Sequence, residues 1–334
     1  MEISRNTPYT FRNGKIAANR IVVPPMASQT ADTQGFVTEL TVSHYERLAE
    51  AGAGLIFVEY TFVHPSGRSE ENQLGASQEA MLPGLQRLAQ TLKKAGALVG
   101  LQLVHSGGKS TRELTGGELQ APSSIPVPAK DWQPDPPTPM NEEEIQLWRE
   151  SFTRAAERAQ RAGFDIVELH AAHGYGLNQW LSPLTNQRSD QYGGAAGRSR
   201  LLLEIVDAIK SATPDLLLAV RLPAQDHLPG GLTVQEMREI VKLLEAHQVD
   251  LLDVSSGLGG WRRPQGREGE GYLVADASEL KLATKLPVIG VGGLRTGPYI
   301  DSLLRQDRID FAAVGRAILE DPRKWGQEVI ASAY

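Results

Sequence analysis

The chain has 334 residues, of which 41% are hydrophobic and 22% charged, so it can bury a large core and is neither disordered nor fibrous. Its 34 Lys and Arg against 40 Asp and Glu give a net charge of -6, which excludes a broad basic surface for nucleic acid or anionic lipid. Because there is no cysteine, disulfides, Cys-ligated zinc, iron–sulfur clusters and thiol nucleophiles are also excluded. Residues 1–20 lack an apolar signal core and no stretch approaches the roughly 18 apolar residues of a membrane span, so we expect a cytoplasmic protein with no membrane partner.

Short apolar runs rich in Val, Ile and Leu alternate with longer amphipathic stretches, a pattern typical of parallel strands covered by crossover helices. The runs predict strands at 20–26, 54–61, 98–105, 165–170, 216–222, 250–255, 287–291 and 310–314. Helices are predicted at 38–51, 78–95, 142–162, 198–212 and 233–246. With no antiparallel block, this order favours an α/β fold of the (β/α)8 TIM-barrel type over an open doubly wound sheet. We expect one domain over residues 1–334, with its active site at the carboxyl ends of the strands.

Two segments fall outside this repeat. Residues 1–19 contain the turn-forming pair Asn13-Gly14 and predict a hairpin that closes the bottom of the barrel. Residues 121–140 contain seven prolines and predict an extended loop after the third strand. That loop is either a lid over the barrel mouth or a disordered spacer.

Glycines follow the last two predicted strands. Gly290-Val291-Gly292-Gly293 ends the seventh strand and Gly315-Arg316 the eighth, where many barrels bind a phosphate. Tight turns alone would also account for the glycines. The dinucleotide pattern G-x-G-x-x-G is not met, because Arg295 stands at the sixth position. We therefore predict a phosphate site at the barrel mouth.

Polar side chains also mark the fourth, third and fifth strands. His170 and His173, with Tyr175 behind them, are suited to donate to a partly negative oxygen, to bind a metal together with Glu168, or to pack as a structural pair. Gln102 and Arg221 lie where barrels normally bury apolar residues, so they need partners. Those partners are either the edge of a flat heterocycle such as an isoalloxazine ring or a polar network with Glu168 or Glu59.

Several motifs resemble the Old Yellow Enzyme family of FMN-dependent ene-reductases, especially its small single-domain bacterial branch. The similarity runs from Asn19 to about Pro322. The fourth-strand motif, continuing into Tyr192-Gly193-Gly194, is highly specific. The motifs are NRIVVPPM (19–26), LQLVHSG (101–107), GFDIVELHAAHGY (163–175), LSP (181–183) with Asn186 and Arg188, DQYGG (190–194) and GR (315–316).

The resemblance implies non-covalent FMN at the barrel mouth and NADPH or NADH as reductant. It places cofactor contacts at Pro25, Met26, Ala27, Tyr60, Gln102, Arg221, Gly292, Gly293, Gly315 and Arg316. His170 and His173 would bind the oxygen of a small electron-poor alkene, Tyr175 would donate a proton, and Lys109 would lie near the cofactor. The implied reaction is a ping-pong hydride transfer to the C=C bond.

The chain departs from the family at three pocket positions. Ala27 replaces a flavin-tuning Cys, which predicts an altered redox poise. Gln29 replaces an aromatic residue and Tyr60 a small one, so both are expected to reshape the substrate pocket, Gln29 as a substitute donor. Trp261-Arg262-Arg263 is either a lid for an acidic or phosphorylated substrate or a solvated loop. The chain stops shortly after a final helix, which makes a shared-site dimer doubtful, although a homo-oligomer remains an option.

Alternatives to a general ene-reductase remain open. One is a specialised biosynthetic flavoenzyme, running as a desaturase or on a dedicated substrate. Another is a catalytically idle FMN-binding protein. From a different class comes a metal-dependent barrel hydrolase using His170, His173 and Glu168. The missing cysteines exclude the iron–sulfur multidomain relatives of the family as close functional models.

Overall fold

The computed structural model describes residues 2–128 and 134–331, so residues 129–133 of the proline-rich loop and the last three residues lie outside the description. Eight parallel strands form a closed barrel, in the order β3-β4-β5-β8-β9-β10-β11-β12 with β12 returning to β3. The barrel strands are β3 (Ile21–Val23), β4 (Leu55–Phe62), β5 (Leu98–Val104), β8 (Ile166–His170), β9 (Leu217–Pro223), β10 (Leu251–Ser255), β11 (Val288–Gly290) and β12 (Phe311–Ala313). The predicted α/β TIM barrel and its eight strands are confirmed.

Helices surround the barrel, and all five predicted helices are present within a few residues of their expected ends. The α-helices are α1 (Glu39–Ala49), α2 (Leu82–Lys93), α3 (Arg112–Thr115), α4 (Glu142–Ala162), α5 (Gly176–Leu181), α6 (Gly194–Gly197), α7 (Arg200–Ala212), α8 (Val234–Ala246), α9 (Val274–Lys281), α10 (Gly297–Arg305), α11 (Arg316–Glu320) and α12 (Pro322–Gly326). Short 3-10 turns lie at Pro65–Gly67 and Glu79–Met81, and a π turn lies at Gln327–Ala331.

Local chemistry explains where these elements begin and end. Helix α4 starts at a capping box, in which the Asn141 side chain accepts from Glu144 N and the Glu144 side chain accepts from Asn141 N. It ends at Gly163, whose φ of 92° is left-handed and favours glycine. Strand β3 is shorter than predicted because the next residues, Pro24 and Pro25, have no N–H for the ladder.

A hairpin covers the amino-terminal end of the barrel, as predicted for residues 1–19. Strands β1 (Tyr9–Thr10) and β2 (Ile16–Ala17) pair antiparallel, with Gly14 in the turn at a φ of 82°. The Phe11 ring stacks on Phe311 of β12 at 5.9 Å between centroids. Phe11 thus joins the apolar cluster that fills the lower half of the barrel interior.

The strand register separates this apolar half from a polar half at the carboxyl end. His170, Arg221 and Asp253 are direct neighbours across β8, β9 and β10. Gln102 faces Glu168 across β5 and β8 in the same way. Because residues in register share one side of a sheet, these five side chains form a polar layer within the barrel.

The remaining predicted segment, 121–140, begins and ends with a two-residue pairing between β6 (Gln120–Ala121) and β7 (Thr138–Pro139). The described part of it reaches the barrel mouth, since a Cβ added at Gly174 would lie 3.0 Å from Val127 Cγ1. Its role as a lid stays a prediction. Of the helices in the described ranges, none is long and apolar enough to cross a membrane.

We expect Phe11→Ala to lower the free energy of unfolding by about 3 kcal/mol, because it opens a cavity in the barrel floor. Chemical denaturation monitored by circular dichroism measures this change. Ile16→Ala, in the same hairpin, is the control, because Ile16 is 57% exposed and its loss leaves no cavity. Equal effects of the two changes would show that the hairpin does not seal the barrel.

Candidate active site

The polar layer contains buried groups whose bonding capacity is not used. Gln102 Nε2 donates to Glu168 Oε1 at 2.8 Å, and Arg221 Nε lies 3.2 Å from Asp253 Oδ2. Within the described part of the chain, however, Glu168 Oε2, Arg221 Nε and both Asp253 carboxylate oxygens lack a partner with hydrogen-bond geometry. Burial, followed by the nearby Asp253, raises the pKa of Glu168, while Arg221 opposes that shift. Buried polar atoms of this kind are usually paired, so the layer is suited to receive a polar ligand.

His170 belongs to this layer, and His173 lies in the loop that follows β8. The His170 and His173 ring centroids are 5.0 Å apart and the rings are perpendicular. His173 has a left-handed φ of 59°, its N–H donates to the Ser256 carbonyl at 3.1 Å, and its Nε2 lies 2.6 Å from Ser255 Oγ. Burial, then the positive charge of Arg221, lowers the pKa of both rings well below the usual value. Both histidines are therefore neutral at neutral pH, and each keeps one N–H to donate.

Tyr175 and Lys109 complete this side of the pocket. The Tyr175 ring centroid is 5.0 Å from that of His170. Burial, followed by the charge of Glu70, raises the pKa of Tyr175 to about 12, so the phenol keeps its proton. Lys109 Nζ donates to the His173 carbonyl at 2.6 Å and lies 4.3 Å from the centroid of the Tyr175 ring. Burial lowers the pKa of Lys109 to about 8.

The segment after β3 forms the opposite wall, with Pro25 and Met26 half-buried and Ala27 exposed. It is anchored by Glu59, whose carboxylate accepts from Ser28 N at 2.9 Å and from Ser28 Oγ. Burial raises the pKa of Glu59 to about 7, against the lowering effect of these two hydrogen bonds. A buried carboxyl thus positions the backbone of the wall that was predicted to line the cofactor.

The glycines after β11 and β12 form a narrow cradle beside this wall. Gly292 has a φ of 124°, and a Cβ there would lie 2.7 Å from Leu273 N. Gly293 has a φ of 71°, and its Cβ position is 3.5 Å from Arg316 Nη2. Gly315 comes within 3.2 Å of Met26 Sδ by the same measure. A glycine backbone without side chains and the nearby Arg316 guanidinium suit a phosphate.

These features fit FMN. The unpaired atoms of Glu168, Arg221 and Asp253 match a polar ring edge, and the glycine cradle with Arg316 matches a phosphate. The metal alternative has less support, because the described ranges contain no group of three or more His, Cys, Asp or Glu side chains arranged to hold an ion. His173 Nε2 and Glu168 Oε1 are already engaged by Ser255 and Gln102.

The structure brings the predicted site residues to one end of the barrel, although their roles remain predictions. Tyr60 is buried with its ring 5.6 Å from that of Tyr175. Gln29 is exposed and its amide donates to Glu70 at 2.8 Å, so its expected role as an inward donor stays a hypothesis. The alternative network of Gln102 with Glu168 does exist, but it leaves the atoms described above unpaired.

The sequence analysis missed Asp253 and Glu70. Asp253 is a charged residue within the apolar run LLDVS of β10, and that contrast was a usable signal. Glu70 lies in a polar loop with no periodic pattern, so nothing in its neighbourhood pointed to the site. Trp261 is 69% exposed, and the Arg263 guanidinium lies 4.8 Å from the centroid of the Tyr272 ring. The lid role predicted for this loop stays untested.

Comparison with known proteins agrees with this geometry. Residues 6–329 match the model of the NADH:flavin oxidoreductase / NADH oxidase family. An NADPH dehydrogenase of Geobacillus sp. is 38% identical over 324 residues, covering 96% of this chain and 92% of the relative. One from Listeria monocytogenes is 37% identical over 306 residues, covering 91% and 88%.

Two solved structures share this fold. The 2-naphthoyl-CoA reductase has a TM-score of 0.91 at 26% identity, with 97% of this chain covered, although this chain spans only 52% of that one. The Old Yellow Enzyme homologue of Zymomonas mobilis has a TM-score of 0.84 at 24% identity, covering 98% and 93% of the two chains, and shows the likeness of fold.

The barrel and its mouth thus define an FMN-linked oxidoreductase that takes electrons from NAD(P)H. The chain belongs to the NADH:flavin oxidoreductase / NADH oxidase family, and its resemblance to Old Yellow Enzyme is confirmed at the level of the family.

The raised pKa of Glu59 predicts a pH-dependent cost to stability. Because the folded state favours the protonated carboxyl, the stabilising contribution of Glu59 is fully present below the ordinary pKa of 4.5 and is lost as the pH rises through about 7. The free energy of unfolding of Glu59→Gln, taken relative to that of wild type, should therefore rise by about 2–3 kcal/mol when the pH is raised from about 5 to about 8.

Denaturation of the FMN-loaded proteins at both pH values measures this difference. Glu46→Gln, at an exposed position of helix α1, should show no such change. A stability difference between Glu59→Gln and wild type that is the same at both pH values would contradict the prediction.

Proposed function

We propose that the chain reduces electron-poor C=C bonds, next to a carbonyl or nitro group, with NAD(P)H as the electron source. The observation that carries this proposal is the neutral pair His170 and His173 beside a protonated Tyr175, at a layer suited to FMN. The pair offers hydrogen-bond donors for one oxygen, and the tyrosine offers a proton nearby. This is the set of groups that reduction of an activated alkene requires.

When bound, FMN supplies the two-electron carrier that accepts hydride from the nicotinamide and delivers it to the alkene. Gln102 and Arg221 would meet the polar edge of its ring, and Asp253 would balance the charge of Arg221. Gly292, Gly293, Gly315 and Arg316 would hold its phosphate. Pro25, Met26 and Ala27 would lie against the ring, with Tyr60 at its margin.

The histidines bind and orient the substrate. Their N–H groups stabilise the negative charge that develops on the activating oxygen as the β-carbon receives hydride. The contact of His173 Nε2 with Ser255 Oγ and the bond from its N–H to Ser256 fix the ring position before substrate arrives. Removal of one such preorganised donor typically costs about 3 kcal/mol of the barrier.

Tyr175 is the proposed proton donor to the α-carbon. Its raised pKa keeps the phenol protonated at working pH, and its ring contacts both His170 and Tyr60. Lys109 beside it adds positive charge where the substrate oxygen becomes negative. Because the amine loses that charge above about pH 8, it makes the site sensitive to pH.

A specialised flavoenzyme with a dedicated substrate is the second candidate. Its support is the pair of Tyr60 and Tyr175 rings, which leaves less room for a substrate. The hydrogen bond between Gln29 and Glu70 adds polar groups on the same side. Both candidates use a small-molecule substrate and the same flavin, and they differ in the range of alkenes accepted. An idle flavin protein would show neither activity.

An anaerobic spectral cycle tests the function. The purified protein should show a flavin absorption spectrum that NADPH bleaches and cyclohexenone then restores. A flavin that NADPH reduces but simple enones do not reoxidise would favour the dedicated-substrate candidate. A protein that binds no FMN after reconstitution would refute the proposal, and metal binding by the histidine pair would then be tested.

The lowered pKa of Lys109 predicts that flavin reoxidation slows at alkaline pH. We expect the rate of flavin reoxidation by an enone to fall about three- to tenfold as the pH rises through about 8, because the charged lysine is lost. Tyr175 and the two histidines do not change protonation in that range. Stopped-flow absorbance over pH 6.5–9.5, a range of about three units around that pKa, measures the decline.

Two variants separate charge from packing. Lys109→Met should be slow at low pH and flat across the range, whereas Lys109→Arg should keep the fast rate without the decline. A decline near pH 8 that persists in Lys109→Met would assign it to another group.

A further inference from the structure

Two of the unusual pocket residues meet at a third, Glu70. The Gln29 amide donates to Glu70 Oε2 at 2.8 Å. On the other side, the charge of Glu70 and a hydrogen bond with it contribute to raising the pKa of Tyr60. Gln29 follows β3, Tyr60 lies in β4 and Glu70 follows β4, so the pairing of these two neighbouring strands places both residues against the same carboxylate.

The carboxylate of Glu70 is fixed in position by a hydrogen bond from a neutral group. Gln29 is a neutral amide, so its hydrogen bond does not balance the charge of Glu70. The charge of Glu70 also acts on the pKa of Lys109, but the Lys109 Nζ donates to the His173 carbonyl. Gln29 itself has a left-handed φ of 54°, which only surrounding contacts can maintain in a residue with a side chain.

This charge borders the substrate side of the site. Tyr175 lies between the histidine pair and Tyr60, with ring centroids 5.0 Å from His170 and 5.6 Å from Tyr60. The charge of Glu70 acts on both tyrosines and raises the pKa of each. A substrate held by the histidines and reaching past Tyr175 would therefore meet a half-buried carboxylate.

We propose that Glu70 is a specificity residue that selects activated alkenes carrying an ammonium group on the substituent that reaches past Tyr175, and that disfavours a carboxylate there. A fixed, partly desolvated carboxylate attracts a cation and repels an anion more strongly than an exposed one. The inference rests on the proposed reduction of activated alkenes and names the class of substrate within it.

Three N-substituted maleimides of similar size provide the test. Their substituents are 2-(trimethylammonio)ethyl, 3,3-dimethylbutyl and 2-carboxyethyl, which are cationic, neutral and anionic. The chain has no cysteine, so these probes have no thiol to alkylate. The measured quantity is kcat/KM for each probe with the FMN-loaded enzyme, expressed as the cationic-to-neutral and anionic-to-neutral ratios.

We expect Glu70→Gln to lower the cationic-to-neutral ratio about tenfold and to raise the anionic-to-neutral ratio by a similar factor. The wild-type preference should weaken at high ionic strength. Glu71→Gln removes the same charge from the adjacent, exposed position and should leave both ratios unchanged. Glu70→Lys should invert the preference, and it provides a second test if Glu70→Gln folds poorly.

The possible failures are distinguishable. If wild type reduces all three maleimides and Glu70→Gln leaves the ratios unchanged, the role of Glu70 is refuted and alkene reduction stands. If wild type binds FMN and is reduced by NADPH but reoxidised by none of the three, the proposed alkene reduction fails, and the specificity inference fails with it. If Glu70→Gln and Glu71→Gln change the two ratios equally, the cause is the general surface charge, and the inference is refuted.

Discussion

Charged side chains buried at the carboxyl end of the barrel impose the main constraint on this protein. Glu168, Arg221 and Asp253 lie inside a sheet, where an unpaired charge is costly. The barrel register places Arg221 beside Asp253 and Gln102 beside Glu168, which offsets part of that cost. The remaining atoms have no hydrogen-bond partner, so a polar ligand that bonds to them would stabilise the layer.

The apolar lower half of the barrel interior confines the polar groups to the carboxyl end. The hairpin residues Phe11 and Ala17 join the lower half of the barrel interior and leave only the carboxyl end for polar groups. The site is therefore at one end for a physical reason, since the two halves of the barrel interior have opposite solvation requirements. Burial also accounts for the chemistry of the mouth, because it keeps the histidines neutral and Tyr175 protonated.

The segments around the barrel mouth place Gln29, Tyr60 and Glu70 beside the site. The barrel strands position the histidine pair, whereas Gln29, Tyr60 and Glu70 form a local arrangement on one wall. Gln29 and Glu70 lie in the loops after β3 and β4, where side chains can vary without disturbing the barrel, and Tyr60 lies near the end of β4. This division explains how one fold serves the reductases and dehydrogenases with which the chain compares.

The sequence by itself determined the barrel, its closing hairpin and most of the mouth, because period, turn chemistry and strand-end residues are local signals. It located His170, His173, Tyr175, Gln102 and Arg221 from their place on predicted strands. The tertiary structure alone decided which partners these residues have, because the register that joins Arg221 to Asp253 links segments far apart in the chain. It alone also brought Gln29 together with Tyr60 and Glu70, since a contact between the loop after β3 and the β4 segment leaves no periodic trace in the sequence.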